Sequence, residues 1–515
     1  MDSMVNHYTA NKRLRSTDAY TPGNKAGYRP DYATTVYSNI LKNLYPEIPI
    51  IIGGIEASLR RFTHYDYWKN SLMPSILVDS KADMLIYGMG EKPIKAIINN
   101  LRQDKNIKQL KNIPQTAYLA NEYKNNKNFI NLYSHELCVN NKLKYAKNFA
   151  IIEKESNKYE GKVLIQKINK DFLIVNPQNK PLTEHELDSI YELPFTYLPH
   201  PKYIKKGNIP AYEMIKYSIN IHRGCFGGCS FCTISAHQGK FISSRSEKSI
   251  LQEVDKIKSL PDFKGHITDL GGPSANMYKM EGINMQLCKK CIRPSCIYPS
   301  ICKNLNIDHL KLTNLYKYVE TAKGIKKLSI GSGIRYDLIY NNKQNKYKKN
   351  GLNYLKQLIK NNVSGRLKVA PEHTEKIVLD LIRKPGFDLF IKLQNEFKSI
   401  NTNSNLKQQI LPYFISNLPG CTLRDMGLLS AKIKNLHVHP EQVQDFTPTP
   451  MTLSTVMYYA GINPYSGEKI FSSKTIKERK IQKLFFFWYL KKNKPIIIQY
   501  LKKLGLNQLI PTLYS

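Results

Sequence analysis

Arginine is scarce in this sequence: of 77 basic residues only 14 are Arg, against 63 Lys. Planar, bidentate recognition of phosphates and bases leans on the guanidinium. The net charge of +37 is therefore weak ground for a nucleic-acid binder. With 45 Asn beside the lysines, the excess reads first as solvated surface; a nucleic-acid surface is the second reading, because Lys still attracts phosphate. Long apolar runs are also missing. Those at 48–55 and 484–490 fall far short of the ~18–20 residues of a membrane span, so no membrane partner is expected. Residues 1–20 are polar and charged, unlike a secretory leader, and a cytoplasmic protein is expected. Gly and Pro, 27 each, are too few for a fibrous or low-complexity chain. What remains is an ordinary globular composition, 42% hydrophobic and 23% charged, with length for about three domains at ~150 residues each.

The nine cysteines are not scattered. Cys225, Cys229 and Cys232 form a C-x3-C-x2-C run. Clustered thiols in a reducing compartment point to metal rather than to disulfides. Three thiolates on one tight loop can wrap one face of a 4Fe-4S cubane and leave the fourth iron open to an outside ligand. Gly224, Gly227 and Gly228 let backbone approach a bulky inorganic core, Phe226 and Phe231 can shield it, and Arg223 can offset its charge. The alternative is structural zinc, with His222 or His237 as fourth ligand. Cys288, Cys291, Cys296 and Cys302 form a second group, in a stretch at 280–306 with little regular pattern. Four thiolates can close either an auxiliary 4Fe-4S cluster, the first reading, or a zinc site, and spacing does not separate the two; thiols that hold no metal are the third reading. Cys138 and Cys421 have no Cys neighbours and read as small buried residues.

From residue 217 the pattern alternates short β-prone segments with helical ones. Strands are predicted at 217–222, 266–270, 327–330, 367–370, 410–415 and 443–446. Helices are predicted at 246–260, 308–323, 352–361, 374–383 and 422–435, with Thr374 and Thr422 as N-caps. Six such units predict a partial parallel (β/α)6 barrel over 217–466. Chemistry in these folds gathers at the carboxyl ends of the strands, where the cysteine loop, Gly271-Gly272, Ser332–Arg335 and Glu372-His373 fall. Residues 1–101 read as an incomplete doubly wound α/β domain, from strand-then-glycine turns at Gly53-Gly54 and Gly88–Gly90. Residues 102–216 read as a connector with a β-hairpin at 162–176. Residues 467–515 read as a helical basic extension, either packed on the core or open to a partner.

The run from Arg223 to Lys240, Arg-Gly-Cys-Phe-Gly-Gly-Cys-Ser-Phe-Cys-Thr-Ile-Ser-Ala-His-Gln-Gly-Lys, resembles the signature loop of radical S-adenosylmethionine (SAM) enzymes. Together with the motifs at 269–278, 332–337, 369–374, 412–420 and 448–459, it resembles the YgiQ family of that superfamily. The resemblance implies a 4Fe-4S cluster on Cys225, Cys229 and Cys232, SAM on its open iron, and a 5′-deoxyadenosyl radical acting on an unknown substrate. It also implies a reducing electron donor such as flavodoxin or ferredoxin. Gly271 and Gly272 would meet the SAM amino group, Ser332 and Arg335 the methionine end, and Glu372 or His373 the ribose. Read without the resemblance, Arg335 is a structural ion-pair partner, and Glu372 and His373 make hydrogen bonds at the barrel mouth. Pro273 departs from the Gly-Gly-Glu motif of the superfamily. The first domain resembles part of a cobalamin-binding one, but no Asp-x-His-x-x-Gly motif is present, which argues against base-off cobalamin. The family has further residues ahead of this start, so a shortened first domain with an exposed sheet edge is expected. Two rivals stay open: a zinc-stabilised RNA-binding protein, and an inactive remnant of a radical SAM enzyme.

Overall fold

A computed structural model describes residues 2–124, 126–340 and 345–514; Met1 and Ser515, which bound the first and last expected units, lie outside these. The N-terminal part is built on one six-stranded sheet. Its first strands, Ile51–Ile52 and Met84–Ile86, are parallel. Strands Thr116–Ala120, Asp171–Val175 and Val163–Ile168 follow antiparallel, and Phe129–Asn131 closes the far side parallel to Val163–Ile168. The stretch 102–216 thus supplies four of the six strands. Its side chains explain why: Ala117, Leu164, Leu173 and Val175 share one buried apolar cluster with Ile52 and Leu85. At the opposite edge Ile51 and Ile55 are exposed.

The C-terminal half carries six parallel strands in chain order, the second of them in two segments, His266–Ile267 and Asp269–Gly271. Ser218–Asn220 pairs with Asp269–Gly271, His266–Ile267 pairs with Lys327–Leu328, and Arg366–Glu372, Gln409–Ser416 and Gln442–Asp445 form a three-stranded sheet. Among the described residues no ladder joins Lys327–Leu328 to Arg366–Glu372, so the barrel is partial and unclosed. Its inner strands are β-branched and apolar (Ile219, Ile267, Val369), and they share one core with the surrounding helices.

Helix Leu423–Asn435 starts at Thr422 with a full capping box to Asp425. The expected cap at Thr374 does not form. Helix Lys376–Leu381 begins one residue later, after Glu375, and the Thr374 hydroxyl donates instead to the Glu375 carboxylate at 2.8 Å. The terminal extension is core: Phe485 and Phe486 are fully buried, and Gln482 donates to the Cys421 carbonyl at 2.7 Å. Among the described residues no helix is long and apolar enough to cross a membrane.

Candidate active site

The cysteine loop leaves the first barrel strand and is gripped at its root by the antiparallel pair His222–Arg223 with Ser243–Ser244. Two glycines make its path feasible. Gly224 and Gly228 have φ of +87° and +61°. A Cβ on Gly224 would collide with the Phe241 carbonyl, and one on Gly228 would lie 2.6 Å from the Pro294 carbonyl oxygen. The loop is then pinned from three sides. The Ser230 amide donates to the Ile382 carbonyl at 3.1 Å, the Ser454 amide to the Ser230 carbonyl at 2.9 Å, and the Cys296 amide to the Phe226 carbonyl at 3.0 Å.

The three thiols are free and half-buried. Burial first, and the neighbouring Cys229 second, push the Cys225 thiol up to about 11 and the Cys232 thiol up to about 12. Deprotonating them requires compensating positive charge, and Arg335 stands there: its Nη1 donates to Cys229 Sγ at 3.2 Å. Its Nε and Nη2 grip Asp337 at 2.9 and 2.6 Å. Asn276 fixes the Arg335 backbone from both sides, accepting from its amide at 2.7 Å and donating to its carbonyl at 3.0 Å. Arg223, which the sequence offered as the charge-offsetting group, turns the other way and pairs at 2.6 Å with Glu91, the first residue of helix Glu91–Leu101 in the N-terminal part.

The remaining expected residues lie around this centre. Gly271 ends the second barrel strand, and a Cβ on it would sit 2.8 Å from Ser332 Oγ. Ser332 is tied to Asp269, whose carboxylate also accepts the Gly331 and Ser332 amides at 2.9 and 3.1 Å. Gly272 lies directly on the His222 ring, 2.5–2.8 Å from where a Cβ would be. That ring is wholly buried, with neither nitrogen partnered, and burial holds its pKa down to about 3. Glu372 ends its strand with φ of +67°, a strained backbone for a non-glycine residue. It is buried beside Lys384 at 3.5 Å, and burial raises its pKa. His373 is committed inside the fold: Nδ1 accepts from the Glu375 amide at 3.1 Å and Nε2 faces Cys421 Sγ at 3.4 Å.

Asp269 and Asn276 were not singled out by residue type. The signal was the motif they share at 269–278: Asp269 opens the strand segment Asp269–Gly271 and Asn276 follows it, and they bond to Ser332 and Arg335 respectively. Asn276 in turn donates to His309 Nε2 at 3.0 Å. His309 is buried and neutral, its pKa held down to about 4 by burial. A histidine so depressed contributes stability above its unfolded pKa of about 6.5, and that contribution is lost as pH falls toward 4. At pH 5 the loss from His309 alone is expected to be about 2 kcal/mol, from 1.5 pH steps at about 1.4 kcal/mol each. Thermal melts between pH 7.5 and 5 should show a shallower pH dependence for His309→Gln; an unchanged slope would remove this role.

Among the described residues no three His, Cys, Asp or Glu side chains converge on a single ion. A cubane does not ask for that, because each cysteine sulfur binds a different iron. The loop carries three thiols, with a buried guanidinium against one of them and a glycine, Gly227, whose Cβ would lie 3.3 Å from both Cys225 Sγ and Arg335 Nη1. The second cysteine group packs against the first. Ser295 Oγ donates to the Gly227 carbonyl at 2.8 Å, and Cys225, Phe226, Cys296 and Cys302 share one apolar cluster. Burial pushes Cys296 up to about 11, with Lys240 opposing and Cys291, Cys302 and Cys288 adding repulsion. Lys240 Nζ lies 3.7 Å from Cys291 Sγ, and Asn304 donates to Cys288 Sγ at 3.3 Å.

Residues 1–218 match the family model described as Radical SAM N-terminal, and residues 441–512 match a domain of unknown function, DUF3362. The chain is 54% identical to a UPF0313 protein of Bacteroides thetaiotaomicron, over 100% of this chain and 85% of that one. It is 46% identical to a UPF0313 protein of Methanocella arvoryzae, over 93% of this chain and 78% of that one. Among solved structures, the radical SAM methyltransferase TsrM from Kitasatospora setae aligns at 11% identity and a TM-score of 0.43, covering 85% of this chain and 63% of that one. That likeness is too distant to carry a functional argument.

Proposed function

The chain belongs to the UPF0313 proteins of the radical SAM superfamily, and from that premise we propose that it cleaves SAM reductively at a 4Fe-4S cluster held by Cys225, Cys229 and Cys232. The single observation that supports this most is the contact of the Arg335 guanidinium with Cys229 Sγ. A buried cation placed on a thiol suits a thiolate-bound, negatively charged group. When bound, the cluster and SAM supply one-electron cleavage of a carbon–sulfur bond, giving methionine and a 5′-deoxyadenosyl radical. An external reductant such as flavodoxin or ferredoxin provides the electron.

The chain's own residues bind and orient. The bare backbone of Gly271 and Gly272 and the hydroxyl of Ser332 offer the methionine end of SAM carbonyls and a hydroxyl at the second and third strand ends. Glu372, strained and buried, offers a carboxylate to ribose hydroxyls; His373, with both nitrogens engaged, supports the turn that presents it. Burial of the thiol loop under Phe226 and the 295–296 segment excludes water.

We also assign Cys288, Cys291, Cys296 and Cys302 to a closed four-cysteine metal site, either an auxiliary 4Fe-4S cluster or zinc. Anaerobic purification with iron, sulfide and zinc counts tests both assignments. About four iron and four sulfide per chain with zinc supports one cluster and a zinc site; about eight of each supports two clusters. Cys288→Ser with Cys296→Ser should remove the second complement and leave the first. Zinc without any iron or labile sulfide overturns the proposal and favours the zinc-stabilised binding protein.

A further inference from the structure

A cleft runs between the N-terminal sheet and helix Ile234–Gln238, which follows the cysteine loop. The two units close to contact at Gly88, where a Cβ would lie 2.8 Å from the His237 carbonyl oxygen. Arg61 lines this cleft and also lines the smaller cavity that contains Cys229 and Cys232. With Ser156, Ser235 and Ala236 it is one of the residues common to the outer opening and the space beside the thiols, and it is the charged one.

Arg61 is 1% exposed. Its Nη1 donates to the Ser58 carbonyl at 2.6 Å and its guanidinium lies 4.5 Å from the Tyr87 ring centre. Its Nε has no partner, and Nη2 has only a long contact of 3.4 Å with Ser156 Oγ. In Arg335 this same Nε–Nη2 edge grips the Asp337 carboxylate. Arg60, Arg245 and Arg383, all buried, likewise have carboxylates, in Asp2, Glu253 and Glu153. No acid is among the groups that stabilise the charge of Arg61, and burial lowers its pKa to about 10. The other charges of the cleft are already matched: Lys92 by Glu186 at 3.0 Å, Lys158 by Glu155 at 2.5 Å, Lys180 by Glu160 at 3.2 Å, and Arg223 by Glu91 at 2.6 Å. Lys240 donates to the Arg293 carbonyl at 2.7 Å. Taking a guanidinium out of water without a counter-charge costs several kcal/mol, and its buried Nε–Nη2 edge, with Nε unpaired, has the fork geometry for a bidentate oxyanion.

We propose that the Nε–Nη2 edge of Arg61 is the recognition site for an oxyanion group, carboxylate or phosphate, of the substrate, which enters through this cleft and extends toward the thiols. This rests on the radical SAM reading and adds to it a substrate class: small acidic molecules.

The test is calorimetric titration of the full-length, anaerobically loaded protein with inorganic phosphate and, separately, acetate, against chloride at matched ionic strength. Saturable one-to-one binding of phosphate, of acetate or of both is expected, and the stronger of the two identifies the acid. Arg61→Gln should weaken it on the order of tenfold to a hundredfold, and Arg61→Lys, which keeps charge but loses the fork, should fall between. Ser156→Asp places a carboxylate beside the Nε–Nη2 edge and should abolish binding while the protein folds, which keeps the test decisive if Arg61→Gln does not fold. Neither anion binding beyond chloride, or equal binding to wild type and Ser156→Asp, overturns the proposal. SAM cleavage by the wild type is scored separately: cleavage without anion binding sinks the anion site alone, and anion binding without cleavage sinks the radical SAM reading alone.

Discussion

Replacing Cys225, Cys229 and Cys232 together by alanine is expected to abolish SAM cleavage and remove about four iron and four sulfide per chain, while the protein still folds. The loop does not depend on its thiols for shape. It is held by the His222–Arg223 pairing with Ser243–Ser244 and by backbone bonds from Ser230, Ser454 and Cys296. The thiols are half-buried, so truncation opens no large cavity in the core. The melting temperature without metal should thus stay close to that of the metal-free wild type, and the four-cysteine site should keep its own metal. Retained cleavage would refute the ligand assignment. Collapse of the fold would show that the thiols themselves hold the loop.

Arg335→Ala is expected to have the second-largest effect, and through two routes that can be separated. The first is structural. Asp337 is 5% exposed in its side chain, and removing the guanidinium leaves a buried carboxylate alone, at about 3–5 kcal/mol. The second is chemical: Cys229 loses the cation at its sulfur. Removing both partners, Arg335→Ala with Asp337→Ala, should restore most of the stability because no charge is left stranded. It should not restore cluster loading or SAM cleavage. Denaturant unfolding beside iron counts decides it. If the double variant recovers cleavage as well as stability, Arg335 is an ion-pair partner and nothing more.

The barrel was legible because its strands are short apolar runs that stop at glycine, proline or a polar turn; all six expected segments are strands, from Ser218–Asn220 to Gln442–Asp445. The long helix Asp388–Asn403 was not anticipated. Its apolar positions, Leu389, Phe390, Leu393, Phe397 and Ile400, keep helical spacing, but Lys and Asn between them dilute the pattern. The same dilution hid the role of 102–216: the hairpin is visible from alternation, whereas its membership of the first sheet depends on pairing with strands far off in sequence, which periodicity does not encode.

Within the site, the cysteine spacing marked the three thiols and little else. Residue type suggested Arg223 as the compensating cation, yet direction decides that role. Arg223 lies on the strand that leads into the loop and reaches across to Glu91, while Arg335 arrives from the third strand end, held by Asn276. Arg61 gave no signal in sequence, being one of an Arg-Arg pair. Its neighbour Arg60 is tied to Asp2, and only three-dimensional packing leaves Arg61 without an acid.

The most direct measurement of the central claim is product formation by the anaerobically loaded, reduced wild-type protein given SAM. The account predicts 5′-deoxyadenosine and methionine in equal amounts, dependent on the reductant. SAM recovered intact from protein carrying its full complement of iron and sulfide would contradict it.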